Sequence, residues 1–225
     1  MPLVAKGSRP PKFLSHLPYD HERGYVVPWF VHWQNGVPEF RVIVEEKRGM
    51  AWDLGLCWVC GKELPVLSPR PMRCRQTFVI GPMCSVNRVS SEPGSHPDCA
   101  AYAVQACPFL TKPHMVRRDN DLPEGSHESD GIMILRNPGV ICLWESESAS
   151  ISVIPGDGGW LIDIGEPLIP PSWYYEGRFA TRAEVDESVR TGLPALQAEA
   201  TAAGPRHVAV LECMLAEAKK HFPRD

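Results

Sequence analysis

The chain has 225 residues, enough for one sizeable core or two small domains, so folding of the whole does not hang on a metal or on disulfides. A net charge of −4 with 22% charged residues argues against a general nucleic-acid binder. No stretch approaches the roughly 18 to 20 apolar residues of a membrane span, and the start Met1-Pro2-Leu3-Val4-Ala5-Lys6 has no apolar run of secretory length, so a cytoplasmic protein without a membrane partner is expected.

Residues 1–24 carry Pro2, Pro10, Pro11 and Pro18 among polar groups and read as a loosely packed N-terminal arm. From Tyr25 to Val44, two aromatic and β-branched runs flank Asn35-Gly36, a pair that tolerates the positive φ angles of a tight hairpin turn. Pro28 and Pro38 each remove a ladder donor, which places this hairpin at a sheet edge. A short helix over 45–56, ending near Gly55, leads into the cysteine-rich segment.

Six of the eight cysteines (57, 60, 74, 84, 99 and 107) fall in that segment, and such clustering reads as metal binding. Cys57-Trp58-Val59-Cys60-Gly61-Lys62 has the two-residue spacing that lets both sulfurs reach one tetrahedral zinc ion at about 2.3 Å. A redox pair is the competing reading, weakened by the absence of a surrounding βαβ pattern. Further on, Ser95-His96-Pro97-Asp98-Cys99 suits a helix start with proline in its first turn, and two residues three apart there can grip one ion. Cys99 and Cys107, eight residues apart, sit roughly 12 Å apart along a helix axis and cannot share it. Cys107 is therefore expected in the core. Cys74, Cys84, His96 and Cys99 compete for the remaining positions; the favoured set is Cys57, Cys60, His96 and Cys99, with Cys84 in place of His96 as the runner-up.

A knuckle, a hairpin around Gln76–Cys84 and two ligands at a helix start resemble the treble-clef family of zinc modules over residues 56–108. That resemblance implies a fold and a zinc cofactor but no activity. Residues Cys57-Trp-Val-Cys60-Gly61, Gly81-Pro82-Met83-Cys84-Ser-Val-Asn87-Arg88, His96-Pro-Asp-Cys99, Cys107-Pro108-Phe109 and Glu176-Gly177-Arg178-Phe-Ala-Thr181-Arg182-Ala-Glu184 are similar to those of a group of uncharacterised proteins from actinobacteria and their phages. This second resemblance implies one shared architecture and nothing catalytic.

A polar stretch from Arg117 to Asp130 reads as a linker or long loop, after which Gly131–Leu135, Val140–Glu145, Ile151–Ile154 and Trp160–Ile164 read as strands, with a turn at Gly156-Asp157-Gly158-Gly159. Thr181-Arg182-Ala183-Glu184 has capping-box spacing and opens a helix that Gly192 and Pro194 should interrupt and Gly204-Pro205 should close. Val208, Leu211, Leu215, Ala218 and Phe222 then form a helical stripe.

The expected fold class is α+β: a small antiparallel sheet packed with C-terminal helices, plus a treble-clef-like zinc insertion. The corresponding division is an arm at 1–24, a hairpin at 25–49 belonging to the main body, a zinc module at 50–115, and the rest of the body at 116–225. Charge is uneven along it. Residues 57–118 hold 8 Lys/Arg against 3 Asp/Glu, and residues 119–225 hold 8 against 18. Arg73, Arg75, Asn87, Arg88, Trp144, Trp173 and Arg178 make a candidate binding surface.

No His-x-Glu followed by Pro-Cys-x-x-Cys is present, nor any HExxH, which removes zinc deaminase and common metalloprotease chemistry. A treble-clef nuclease would want further histidines, and only His96 and His114 lie nearby. Cys142 and Cys213 sit among apolar neighbours and read as core rather than as nucleophiles. The function expected is that of a zinc-stabilised module binding a macromolecule: a protein partner first, nucleic acid through residues 57–118 second. The alternative is a hydrolase or nuclease acting on nucleic acid or nucleotides.

Overall fold

The computed structural model describes residues 9–69, 72–112, 115–116, 137–154 and 159–224, without the side chains of residues 41, 43, 69, 72 and 73. The strand expected at 131–135, the loop expected over 117–130, His114, and Gly156, Asp157 and Gly158 of the expected turn lie outside the described residues. Mixed helices and small antiparallel sheets make the fold α+β.

Residues 9–24, expected to pack loosely, do not. A single 3₁₀ turn at Lys12–Leu14 drives Leu14 to 0% exposure, and β1 (Tyr19–Asp20) pairs with β2 (Tyr25–Val26). The hairpin of β3 (Val31–Gln34) and β4 (Val37–Ile43) turns at Asn35 (φ 50°) and Gly36 (φ 77°), the left-handed pair its sequence called for. Helix α1 (Glu45–Leu54) ends on Gly55, whose φ of 62° supplies the left-handed cap.

The next hairpin is not where the sequence suggested. It forms from β5 (Val66–Pro69) and β6 (Met72–Cys74), and β7 (Gln76–Ile80) runs on into α2 (Pro82–Asn87) and β8 (Val89–Ser90) instead of folding back. Helices α3 (Pro97–Ala106) and α4 (Pro108–Thr111) follow, broken at Cys107 by the proline after it. Strands β9 (Val140–Ser146), β10 (Ala149–Val153) and β11 (Trp160–Ile164) match the expected positions. The Trp173-Tyr174-Tyr175 cluster proves to be strand β12 (Ser172–Tyr175), turned through Glu176-Gly177 into β13 (Arg178–Phe179).

Helix α5 (Arg182–Ala203) opens with both capping-box bonds in place and continues straight through Pro194, where an interruption was expected. Pro194 removes one backbone donor, but it and Arg190, whose carbonyl loses that bond, are both exposed, so water can serve the freed group. Gly192 lets the helices approach closely: a Cβ there would come within 2.9 Å of the Met83 side chain on α2. Helix α6 (Pro205–Lys219) buries the expected stripe, with Leu211 and Ala218 inside and Phe222 just beyond.

A four-stranded sheet in the order β13-β12-β9-β7 organises the main core. One face carries Phe78, Ile80, Cys142, Trp144 and Trp173 against α2, α5 and α6; the other meets α3. A three-stranded sheet, β10-β11-β8, adds Ile162 and Ile164 to the same core. Arg48 of α1 closes that side, its guanidinium 3.7 Å from the Trp160 ring centroid and bonded to the Ser91 carbonyl.

Two expectations about packing meet a different arrangement. The β3–β4 hairpin is a two-stranded sheet of its own and leans on the cysteine knuckle: the Trp29 amide donates to the Val59 carbonyl at 2.8 Å, and Phe30 stacks on Trp58 with centroids 4.7 Å apart. Strand β7 and helix α2 lie inside the 50–115 span, yet β7 pairs along its length with β9 and α2 packs on α5 and α6. A fragment of residues 119–225 should accordingly lack a cooperative thermal transition, because it strips β7 from the central strand and uncovers the helices. Well-dispersed amide resonances from that fragment would instead mean that the C-terminal region folds alone.

Candidate metal centre

The knuckle begins as α1 ends. Cys57 donates its amide to the Lys62 carbonyl at 2.7 Å and accepts the Gly61 amide on its own carbonyl at 2.8 Å, a double tie that closes the loop around both sulfurs. Gly61 has φ of 71°, and a Cβ there would fall 2.6 Å from Cγ of Trp29. Both its conformational freedom and its missing side chain are therefore used.

His96 is the N-cap of α3 and Cys99 lies in its first turn, with Pro97 fixing the entry between them. Ser95, just before, exchanges both backbone bonds with Thr77 of β7, at 2.8 and 2.9 Å. That bridge fastens the second ligand pair to the main sheet. Ligand atoms of Cys57, Cys60, His96 and Cys99 all lie within 4.8 Å of one another, so these four residues can hold one metal ion. The Nδ1 of His96 is 3.4 Å from the Cys60 sulfur and 3.9 Å from the Cys99 sulfur. A tetrahedral ion about 2.3 Å from sulfur and 2.0 Å from nitrogen requires nitrogen–sulfur edges of roughly 3.5 Å, a value that these two distances bracket.

The outer contacts fix the chemistry further. Nε2 of His96 lies 3.0 Å from the Glu63 carbonyl, a partner that can only accept, so the ring proton sits on Nε2 and the Nδ1 lone pair faces the sulfurs. Backbone amides of His96 and Cys60 approach the Cys57 sulfur at 3.3 and 3.5 Å. Thiol donors from Cys60 and Cys99, aided by these amides, hold Cys57 far below the usual thiol pKa; the Cys57 thiolate in turn pushes Cys99 far above it, and Cys60 upward too. One negative charge among three buried sulfurs thus blocks the next. A divalent cation removes that block and lets all three ionise.

The other cysteines are elsewhere. Cys84 lies on α2 against the main core, its thiol pushed up to about 11 by burial, and is not part of the group. Cys107 caps α3 and is half-buried, Cys74 is buried at the end of β6, and Cys142 is fully buried in β9. Cys213, expected in the core, is exposed on α6, because the buried stripe of that helix runs through Leu211, Leu215 and Ala218 instead.

The candidate binding surface does not come together. Trp144 is 0% exposed, donating to the Gly165 carbonyl, and Trp173 is 2% exposed, donating to the His221 carbonyl; both are core residues, because their strand positions point into the helix-covered face. Arg88 lies 4.3 Å over the Trp144 ring and pairs with Glu166, while Asn87 accepts the Val89 amide to end α2. Arg75 pairs with the buried carboxylate of Glu145. Arg178 pairs with Glu184 and holds that carboxyl down at about 2, completing the cap of α5. The side chain of Arg73 lies outside the described residues.

No protein-family model, no curated protein and no solved structure matches the chain. Among the described residues, no helix is long and apolar enough to cross a membrane.

Proposed function

We propose that the protein is a zinc-stabilised module that binds another macromolecule, a protein partner, and performs no chemistry at its metal. The closed ligand set carries this reading. Three sulfurs and one imidazole nitrogen fill all four positions of a tetrahedral ion, leaving none for water or substrate, and three thiolates with one imidazole favour zinc over harder cations. Catalytic zinc keeps a position open.

A protein rather than a nucleic-acid partner is supported by what the arginines do. Arg75 and Arg88, the described arginines of the basic 57–118 span whose side chains are placed, are each committed to a carboxylate of the C-terminal region. Phosphate contacts would need them free. The resemblance to actinobacterial and phage proteins adds the proposal that a phage or mobile element encodes the chain, which genome neighbourhood tests.

The purified, reduced protein should contain about one zinc per chain by elemental analysis. It should show no retention on DNA or RNA at low salt, and no turnover of nucleic acid or nucleotides. Salt-sensitive nucleic-acid binding lost on changing Arg73, Arg75 and Arg88 to Glu would put the nucleic-acid reading ahead, and zinc-dependent turnover would put the hydrolase reading ahead.

A further inference from the structure

Strand β10 is the outermost strand of the three-stranded sheet, with β11 on one side and no described strand on the other. The Ile154 amide donates to the Gly159 carbonyl and the Gly165 amide to the Ser148 carbonyl, both at 2.8 Å. With Ser150 opposite Asp163 and Ser152 opposite Leu161, the even-numbered residues bond to β11, and the amides and carbonyls of Ala149, Ile151 and Val153 point outward. Side chains of these three lie on the core side of the sheet, since Ile151 stands opposite the fully buried Ile162. Yet Ile151 is 41% and Val153 70% exposed, so the apolar face of the sheet runs on past the part that the core covers.

Open strand edges invite pairing, and folds usually blunt them with short strands, proline, bulges, charge or a covering segment. The other edges among the described strands are blunted in these ways. Strands β1, β2, β8 and β13 have two residues each. The β3–β4 and β5–β6 hairpins carry Pro38 and Pro69, each with a register shift, and the outer side of β7 is occupied by Ser95. Strand β10 instead has five residues in unbroken register, without proline or charge. Asp163, on the neighbouring strand, is engaged by the Ser152 hydroxyl.

The run Ala149-Ser150-Ile151-Ser152-Val153 has nearly the same pattern in both directions. Laid antiparallel on a copy of itself about a two-fold axis at Ile151, it sets Ile151 against Ile151 and Ala149 against Val153 on the apolar face, and Ser150 against Ser152 on the polar face. Every pair of outward residues can then exchange two backbone hydrogen bonds. We propose that β10 pairs in this register with β10 of a second copy of the chain, joining two three-stranded sheets into one. A second copy is favoured over an unrelated strand because the strand matches itself on both faces, with no like charges meeting at the axis. Five residues span only about 17 Å, so the dimer is a reversible one. The inference stands apart from the protein-partner reading above.

Sedimentation of the full, zinc-loaded chain from about 1 to about 500 μM should show the mass rising from one chain toward two. Ile151→Lys and Ile151→Glu, which set like charges face to face at the axis, should each raise the dissociation constant at least tenfold. Mixed in equal amounts, the two variants should dimerise again. At high concentration the amides of Ala149 and Val153 should exchange with solvent at least tenfold more slowly in the parent than in Ile151→Lys, while those of Ser150 and Ser152, bonded to β11, exchange alike in both. In the parent itself, isotope-filtered spectra of mixed labelled and unlabelled copies should show contacts between Ser150 of one chain and Ser152 of another. A single-chain mass at every concentration overturns the proposal and leaves the edge open to an extended segment of another protein. A dimer that lacks those contacts between chains, or that persists unchanged in both variants, places the interface elsewhere and overturns it equally. So does a mixture of the two variants that stays monomeric.

Discussion

Replacing Cys57 by Ser is expected to abolish binding of the proposed zinc ion and to unfold the region around the knuckle, with the melting transition broadened or lost. The apolar cluster there is small: its buried members are Leu14, Val26, Cys57, Val59, Cys60, Leu64, Cys74 and Cys99, and three of these eight are ligands. Structural zinc supplies roughly 10 kcal/mol or more in small sites at neutral pH. That is comparable to the whole stability of an ordinary domain, about 5–15 kcal/mol. Without it, three thiols and an imidazole face one another with no packing to compensate. Damage should spread, since the Ser95–Thr77 bridge links the ligand pair of α3 to β7 and hence to β9. Cys60→Ser should behave alike. Cys84→Ser and Cys142→Ser should each keep one zinc per chain, because both thiols pack in the main core, away from the ligand group. Elemental analysis beside a thermal melt reads both effects. A Cys57→Ser protein that still holds one zinc and melts within a few degrees of the parent would show that this residue is not a ligand.

The parts of the fold that could be read from sequence are those fixed by short-range chemistry. Asn35-Gly36 and Gly55 were legible because positive φ limits which residues fit, and Thr181 with Glu184 because a capping box needs that spacing. The grouping of Cys57, Cys60, His96 and Cys99 was legible for the same reason: tetrahedral geometry restricts how far apart two candidate ligands can sit on one turn. The pairing of β7 with β9 was not, since the partners are about 66 residues apart and no local signal chooses between a hairpin and a distant strand. The β5–β6 hairpin was hidden by Pro69, which argues against a strand anywhere except at an edge, as here. Glu176 at φ 52° concealed the β12–β13 turn, because few side chains other than Asn or Asp enter that region.

Trp144→Ala separates the core role found for this residue from the binding role its sequence suggested. As a surface contact it could be truncated with little change in stability. In the structure its ring is fully buried, faces Phe78 across the strands, meets the His221 ring edge-on with centroids 5.1 Å apart, and carries the Arg88 guanidinium above it. Removing so large a buried aromatic costs about 3–5 kcal/mol through lost burial and the cavity left behind. Arg88 also loses the ring that shields it, and the Gly165 carbonyl loses its indole donor. For a chain of this length each kcal/mol moves the melting temperature by about 2–4 °C, so a fall of roughly 10 °C is expected. Trp144→Phe keeps most of the burial and should fall by much less. Zinc content should stay at one per chain in both, because the indole belongs to the main core and not to the cluster around the ligands. A melting temperature unchanged by Trp144→Ala would mean that the strand does not place this side chain in the interior, and with it the packing of α2 and α6 on the central sheet would have to be redrawn.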